Sequence, residues 1–65
     1  MLRMGERIRK RREYLDIYTS DLATSIGVSS SFISQIERDK ASPSILTLKK
    51  IADVLQTTVG ELIGE

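Results

Sequence analysis

The sequence contains no cysteine and no histidine. Without them there are no disulfide frameworks, no zinc-finger ligand sets and none of the usual metal or acid–base constellations. No apolar run approaches the roughly 18 residues that a membrane span requires, and the N-terminus lacks the apolar core of a signal peptide. A soluble, reduced, cytoplasmic protein with no membrane partner is therefore expected. There is also no Ser/His or Cys/His pair, no glycine-rich phosphate loop and no set of carboxylates converging on one face. No reaction can be assembled from these residues, so neither catalysis nor a metal or cofactor is expected.

An excess of one charge is missing too, since 10 Lys and Arg stand against 9 Asp and Glu for a net +1. The distribution is uneven, however. Arg3, Arg7, Arg9, Lys10, Arg11 and Arg12 crowd the first segment with only Glu6 among them, and acids cluster later at Asp16, Asp21, Asp39, Asp53 and Glu61. Such a block fits a nucleic-acid partner, the alternative being a solvated basic helix with no partner. Sixty-five residues make one domain, 1–65. Ordering a chain of this size costs on the order of 100 kcal/mol at roughly 1.5 kcal/mol per residue, which a helical bundle with a continuous aliphatic core can offset.

The chain is organised around residues 19–38, TSDLATSIGVSSSFISQIER. Leu22, Ala23 and Ile26 recur at the spacing of one helix face, and Ile33 and Ile36 do the same after the turn at Ile26-Gly27-Val28. Gly27 accepts a positive φ without steric cost, which lets one helix stop and the next begin within a few residues. Ser29 stands where a hydroxyl caps the second of these helices. At 100° per residue, setting Ile33 and Ile36 inward places Ser31, Gln35 and Arg38 on the opposite face, with Ser34 beside them and Ser30 on the exposed first turn.

The run L-A-x-x-x-G-V-S-x-x-x-I-S-x-I-E-R, followed by x-K-x-x-P-S-x-x-T-L-x-x-I-A-x-x-L, resembles the helix-turn-helix of the phage repressor and Cro type, the XRE-like family, over about Met4 to Ile63. SSFISQIERDKASPS is most similar to regulators that carry a C-terminal cupin sensor; the resemblance implies either a complete small repressor or the N-terminal module of such a longer protein. The resemblance implies an all-α, compact, five-helix, lambda-repressor-like domain that binds double-stranded DNA as a transcriptional regulator of the repressor kind. It also implies a recognition helix at about Ser30–Arg38 lying in the major groove. Ser30, Ser31, Ser34 and Gln35 are then expected to contact bases, Gln35 through a bidentate pair with adenine. Thr19, Ser29, Arg38, Lys40 and Ser42 are expected at phosphates. Solvation of the same polar face is the plain alternative, as is a protein-interaction role of the antitoxin or anti-repressor type.

Departures from the family pattern set further expectations. Asp16 and Asp39 stand where glycine is usual, so left-handed backbone at a non-glycine residue is expected at both. Arg11 replaces a common apolar residue and is expected to snorkel its head to water while its stem covers the core edge. Tyr18 and Thr19 replace a capping Ser or Thr and a phosphate-bracing glutamine. Thr19 either caps one residue late or meets the phosphate itself, and the Tyr18 ring is expected to pack on the domain edge. Phe32 falls on the flank of its helix, either packed on neighbours or touching a thymine methyl. Glu37 lies near the inner side, where a carboxylate needs a partner, and the resemblance supplies Arg12.

Ser44 is expected to cap a fourth helix, Ile45 to Leu55, with an apolar stripe at Ile45, Leu48, Ile51, Ala52 and Leu55. Thr58-Val59-Gly60-Glu61 reads as a capping box opening a fifth. By family analogy a homodimer on a two-fold operator is expected, with Val54, Val59, Leu62 and Ile63 supplying the contact or else completing the monomer core.

Overall fold

A computed structural model describes residues 3–65, which form five helices: α1 (Met4–Tyr14), α2 (Thr19–Ile26), α3 (Ser30–Glu37), α4 (Ile45–Val54) and α5 (Val59–Ile63). Their inner faces meet in one cluster. Ile8 from α1, Leu22, Ala23 and Ile26 from α2, and Ile33 and Ile36 from α3 are buried with Leu48, Ile51 and Ala52 of α4, Leu55 just beyond it, and Leu62 of α5. Every helix thus contributes to the same aliphatic core, as the spacing of the apolar residues requires. No helix among the described residues is long and apolar enough to cross a membrane.

The helix starts follow the sequence closely. Ser29 Oγ accepts from Phe32 N–H, Ser44 Oγ from Thr47 N–H and Thr58 Oγ1 from Glu61 N–H, so three of the five helices begin on a side-chain cap. The α2 start differs. Tyr18 is its N-cap residue and provides no side-chain bond, so Thr19 does not cap but sits at the first helical position.

The helix ends share one device. After α1, α3 and α4 the residues Asp16, Asp39 and Gln56 take φ of 56°, 58° and 57°, and Gly27 takes 78° after α2. Each time the next residue's N–H reaches back five residues, from Ile17 to Arg12 O, Val28 to Ala23 O, Lys40 to Gln35 O and Thr57 to Ala52 O. This is the Schellman closure, which satisfies orphan carbonyls at the cost of a left-handed residue. α5 closes the same way, with Gly64 at φ 89° and Glu65 N–H on Gly60 O, so two of the five left-handed residues are glycines. Asp16 and Asp39 were readable from the pattern, whereas Gln56 carries no signal of its own.

Four expectations need correction. Ile45 is 75% exposed and stands outside the α4 stripe, because the stripe begins one turn later at Leu48. Leu62 is 2% exposed and belongs to the core, so it offers no surface for a dimer. Tyr18 does not pack its ring, being 74% exposed. Arg11 does not simply reach water: its Nε donates to Leu55 O at 2.9 Å and its NH2 to Gln56 O at 3.1 Å. Those carbonyls end α4, where a cation also meets the negative end of the helix dipole.

The basic run of α1 is therefore largely structural. Arg7 donates to Glu61 O in α5, Arg11 holds the end of α4, and Arg12 holds the end of α3. Three arginines on one helix tie down three others.

Candidate nucleic-acid interface

Recognition by a helix requires that one face be immobilised and the opposite face be left with unsatisfied polar groups. In α3 the inner face is Ile33 and Ile36, both fully buried. Its first turn is fixed by the Ser29 cap and its last by the Asp39–Lys40 closure. On the outer side Ser30, Ser31 and Gln35 are exposed, and their side chains make no hydrogen bond among the described residues; Ser34 is half-buried on the same side. Phe32 is partly buried and packs against the core.

The C-terminal end of α3 is locked to α1. Arg12 Nε donates to Glu37 Oε2 at 2.7 Å and its NH2 to Glu37 Oε1 at 3.1 Å, a two-pronged fork on the carboxylate. The third prong, NH1, donates to Ile17 O at 2.8 Å and so holds the α1–α2 connection as well. The side chains are only 13% and 6% exposed. Hydrogen bonding to Glu37 raises the Arg12 pKa and outweighs the opposing effect of burial, so the guanidinium keeps its charge. Glu37 is the one buried charged residue among those described, and no buried side-chain nitrogen or oxygen among them lacks a partner. The buried pair inferred from the sequence is thus present.

A residue that sequence reasoning passed over completes this seam. Gly5 is buried in α1, and a Cβ built on it would lie 2.5 Å from Ile36 O and 2.6 Å from Glu37 O. No side chain fits there. The two backbones approach so closely that the first turn of α1 rests directly on the last carbonyls of α3. An isolated glycine inside a helical pattern, immediately before an apolar-periodic stretch, was the available signal.

The residues expected at phosphates are distributed around α3. Thr19 opens α2 and is half-buried; Arg38, Lys40 and Ser42 are exposed beyond the C-terminus of α3; Ser29 is exposed at its N-terminus. The Ser29 hydroxyl already accepts one hydrogen bond but keeps its proton to donate. Arg38 Nε donates to Ser34 O at 3.3 Å, a contact at the helix end that leaves its remaining N–H groups outward. Val54 and Val59, expected at a dimer contact, are partly buried against the core, and Ile63 is 45% exposed.

A rigid helix held by its apolar face, preceded by a helix and a glycine turn and presenting small hydroxyls and an amide outward, is the arrangement of a helix-turn-helix domain. The chain belongs to the helix-turn-helix family, whose model matches residues 8–62. It is 38% identical over 63 residues to the HTH-type transcriptional regulator SinR of Bacillus subtilis, covering 95% of this chain and 57% of SinR, so it spans little more than half of that relative's length. In structure it matches the c2 repressor of Salmonella phage P22 in complex with a synthetic operator, with a TM-score of 0.92 and 38% identity over 97% of this chain and 96% of that one. The hydroxypropylphosphonic acid epoxidase of S. wedmorenis contains the same fold, with a TM-score of 0.85 and 26% identity over 92% of this chain but 32% of the enzyme. The fold therefore also occurs as a minor part of a longer catalytic chain, and what a given copy does rests on its own exposed residues.

Proposed function

We propose that the chain binds double-stranded DNA sequence-specifically, as the DNA-reading domain of a bacterial or phage transcription regulator of the repressor kind, acting in the cytoplasm. It works by binding and carries out no catalysis. The observation that carries this reading is the outward face of α3. Ser30, Ser31 and Gln35 are exposed and internally unpartnered on a helix whose other face is fixed in the core. Gln35 offers a donor and an acceptor at the spacing of adenine N7 and N6, and Ser30, Ser31 and Ser34 offer short groups with little discrimination of their own. Thr19, Ser29, Arg38, Lys40 and Ser42 stand around that helix to meet phosphates, which set register without reading sequence.

One helix with short serines does not supply the roughly 4–10 kcal/mol that separates specific from non-specific binding. Two copies on a two-fold operator do, with their α3 helices about 34 Å apart, one turn of B-DNA. Val54, Val59 and Ile63 provide apolar surface near the ends of α4 and α5 for that contact. In a longer protein an effector-sensing domain would follow this one.

The experiment is selection of bound duplexes from a random library, followed by titration of the selected and a scrambled duplex across salt concentration. DNA binding through several phosphates gives log K falling with log salt at about 0.9 per phosphate neutralised. No enriched sequence, or a flat salt dependence, would replace this reading with a protein-interaction module.

A further inference from the structure

Two exposed cations of α1, Arg9 and Lys10, make no ion pair or hydrogen bond among the described residues, and of the two it is Arg9 that lies beside α3. Gly5, Arg9 and Arg12 follow one another at spacings of four and three, so they share the side of α1 that faces the end of α3. Gly5 lies on the terminal carbonyls of α3, and Arg12 grips Glu37. Arg9, between them, is exposed and makes no ion pair or hydrogen bond among the described residues. Glu6 and Glu13 stand three residues before and four after it, and neither is within ion-pair distance.

Arg9 lines an open cleft whose other walls are Ser34, Glu37 and Arg38. Both oxygens of Glu37 are already taken by the Arg12 fork, so its charge is compensated from behind. Besides the compensated Glu37, the cleft is lined by one arginine from α1 and one from just past the end of α3, beside a serine of α3. Two cations converging on such a cleft with no uncompensated acid define an anion site. Because Ser34 belongs to the face that lies in the major groove, the anion within reach is the sugar–phosphate strand bordering that groove.

We infer that Arg9 is a DNA-contact residue: with Arg38 it clamps a backbone phosphate beside the C-terminal end of α3. This inference rests on the DNA-binding reading and extends the interface from the helix-turn-helix onto α1. As a phosphate contact it positions α3 without reading bases, so its loss weakens all duplexes alike. A purely structural Arg9 would instead act on the dipole of α3 and show up in stability.

The test compares Arg9→Gln with Lys10→Gln in the 65-residue chain. Lys10 is the adjacent exposed residue and borders a different cleft, against α5, so the two variants lose the same charge from different clefts. Arg9→Gln is expected to lower affinity about eightfold per protomer at ~0.1 M salt, for selected and scrambled duplexes alike, and to reduce the salt slope by about 0.9. Lys10→Gln should change the slope by far less, and the melting temperature of both should stay near that of the parent. Equal effects of the two variants, or a lower melting temperature for Arg9→Gln with an unchanged slope, would overturn the role of Arg9 while DNA binding stands. If the parent chain binds no duplex, the functional reading itself falls, and this one with it.

Discussion

The two ends of α3 are built on opposite principles. At its C-terminal end the helix meets α1 through a side-chain-free contact at Gly5 and a forked ion pair at Arg12 and Glu37, and every buried side-chain polar atom there is satisfied inside the protein. On its outer face Ser30, Ser31 and Gln35 are exposed to solvent, and their side chains make no hydrogen bond among the described residues. The contrast separates two kinds of residue. Substitution at the first end leaves a buried charge or a steric conflict and is felt as stability. Substitution at the second leaves the folded state almost untouched and is felt only when a partner replaces the water.

The largest expected effect probes the closed end. Glu37→Ala removes two of the three acceptors of a nearly buried guanidinium together with its counter-charge, and stranding such a charge should cost about 3 kcal/mol, a large share of the stability of so small a domain. Urea titration of the variant would read this directly. A change of only a few tenths would mean that the pair is solvated in solution, and the contrast between the two ends would collapse.

Gly5→Ala comes next. Overpacking a close contact costs about 1–3 kcal/mol, and alanine returns up to about 1 kcal/mol of helix propensity, so a net loss of about 1–2 kcal/mol is expected in the same titration. A stabilised variant would show that α1 can lift away from α3 at no cost. If instead the loss is large and α3 is displaced, selected-duplex affinity should fall more than the unfolded fraction accounts for.

On the open end, Gln35→Ala should weaken binding to the selected duplex by about 1–3 kcal/mol and leave both the scrambled duplex and the melting temperature nearly unchanged. Equal losses on both duplexes would move Gln35 from base reading to phosphate contact. Any appreciable drop in melting temperature would mean that its amide is used internally after all.

The smallest effect refines the comparison by looking at helix ends elsewhere. Gln56 is held at φ 57° without the short polar side chain that eases this geometry for Asp16 and Asp39. Relieving a left-handed strain of about 1–2 kcal/mol against the entropy cost of glycine, about 0.4–1 kcal/mol, should make Gln56→Gly stabilising by about 0.5–1 kcal/mol. Asp39→Gly should gain less. Thermal melts of the two variants side by side would reveal a reversed order.

Much of this architecture can be derived from residue spacing and capping chemistry, because both act within a few residues. Leu22, Ala23, Ile26, Ile33 and Ile36 declare their helix faces by period, and Ser29, Ser44 and Thr58 cap as their hydroxyls allow. The left-handed end at Gly27 follows from its tolerance of positive φ, and those at Asp16 and Asp39 from the glycines usual at their places in the family pattern. The outer face of α3 follows too, since fixing two buried isoleucines leaves the remaining directions no freedom.

Contacts between distant segments are another matter, because nothing local in the chain encodes which backbone a side chain will meet. Arg7, Arg11 and Arg12 look alike in a basic run, and only folding sends them to α5, the end of α4 and Glu37. Ile45 and Leu62 look alike as apolar residues of short helices, yet one faces solvent and the other closes the core, according to where each helix begins relative to its neighbours. Gly5 is the clearest case. Its requirement for no side chain arises from two carbonyls more than thirty residues away, a distance along the chain that only the packing of α1 on α3 abolishes.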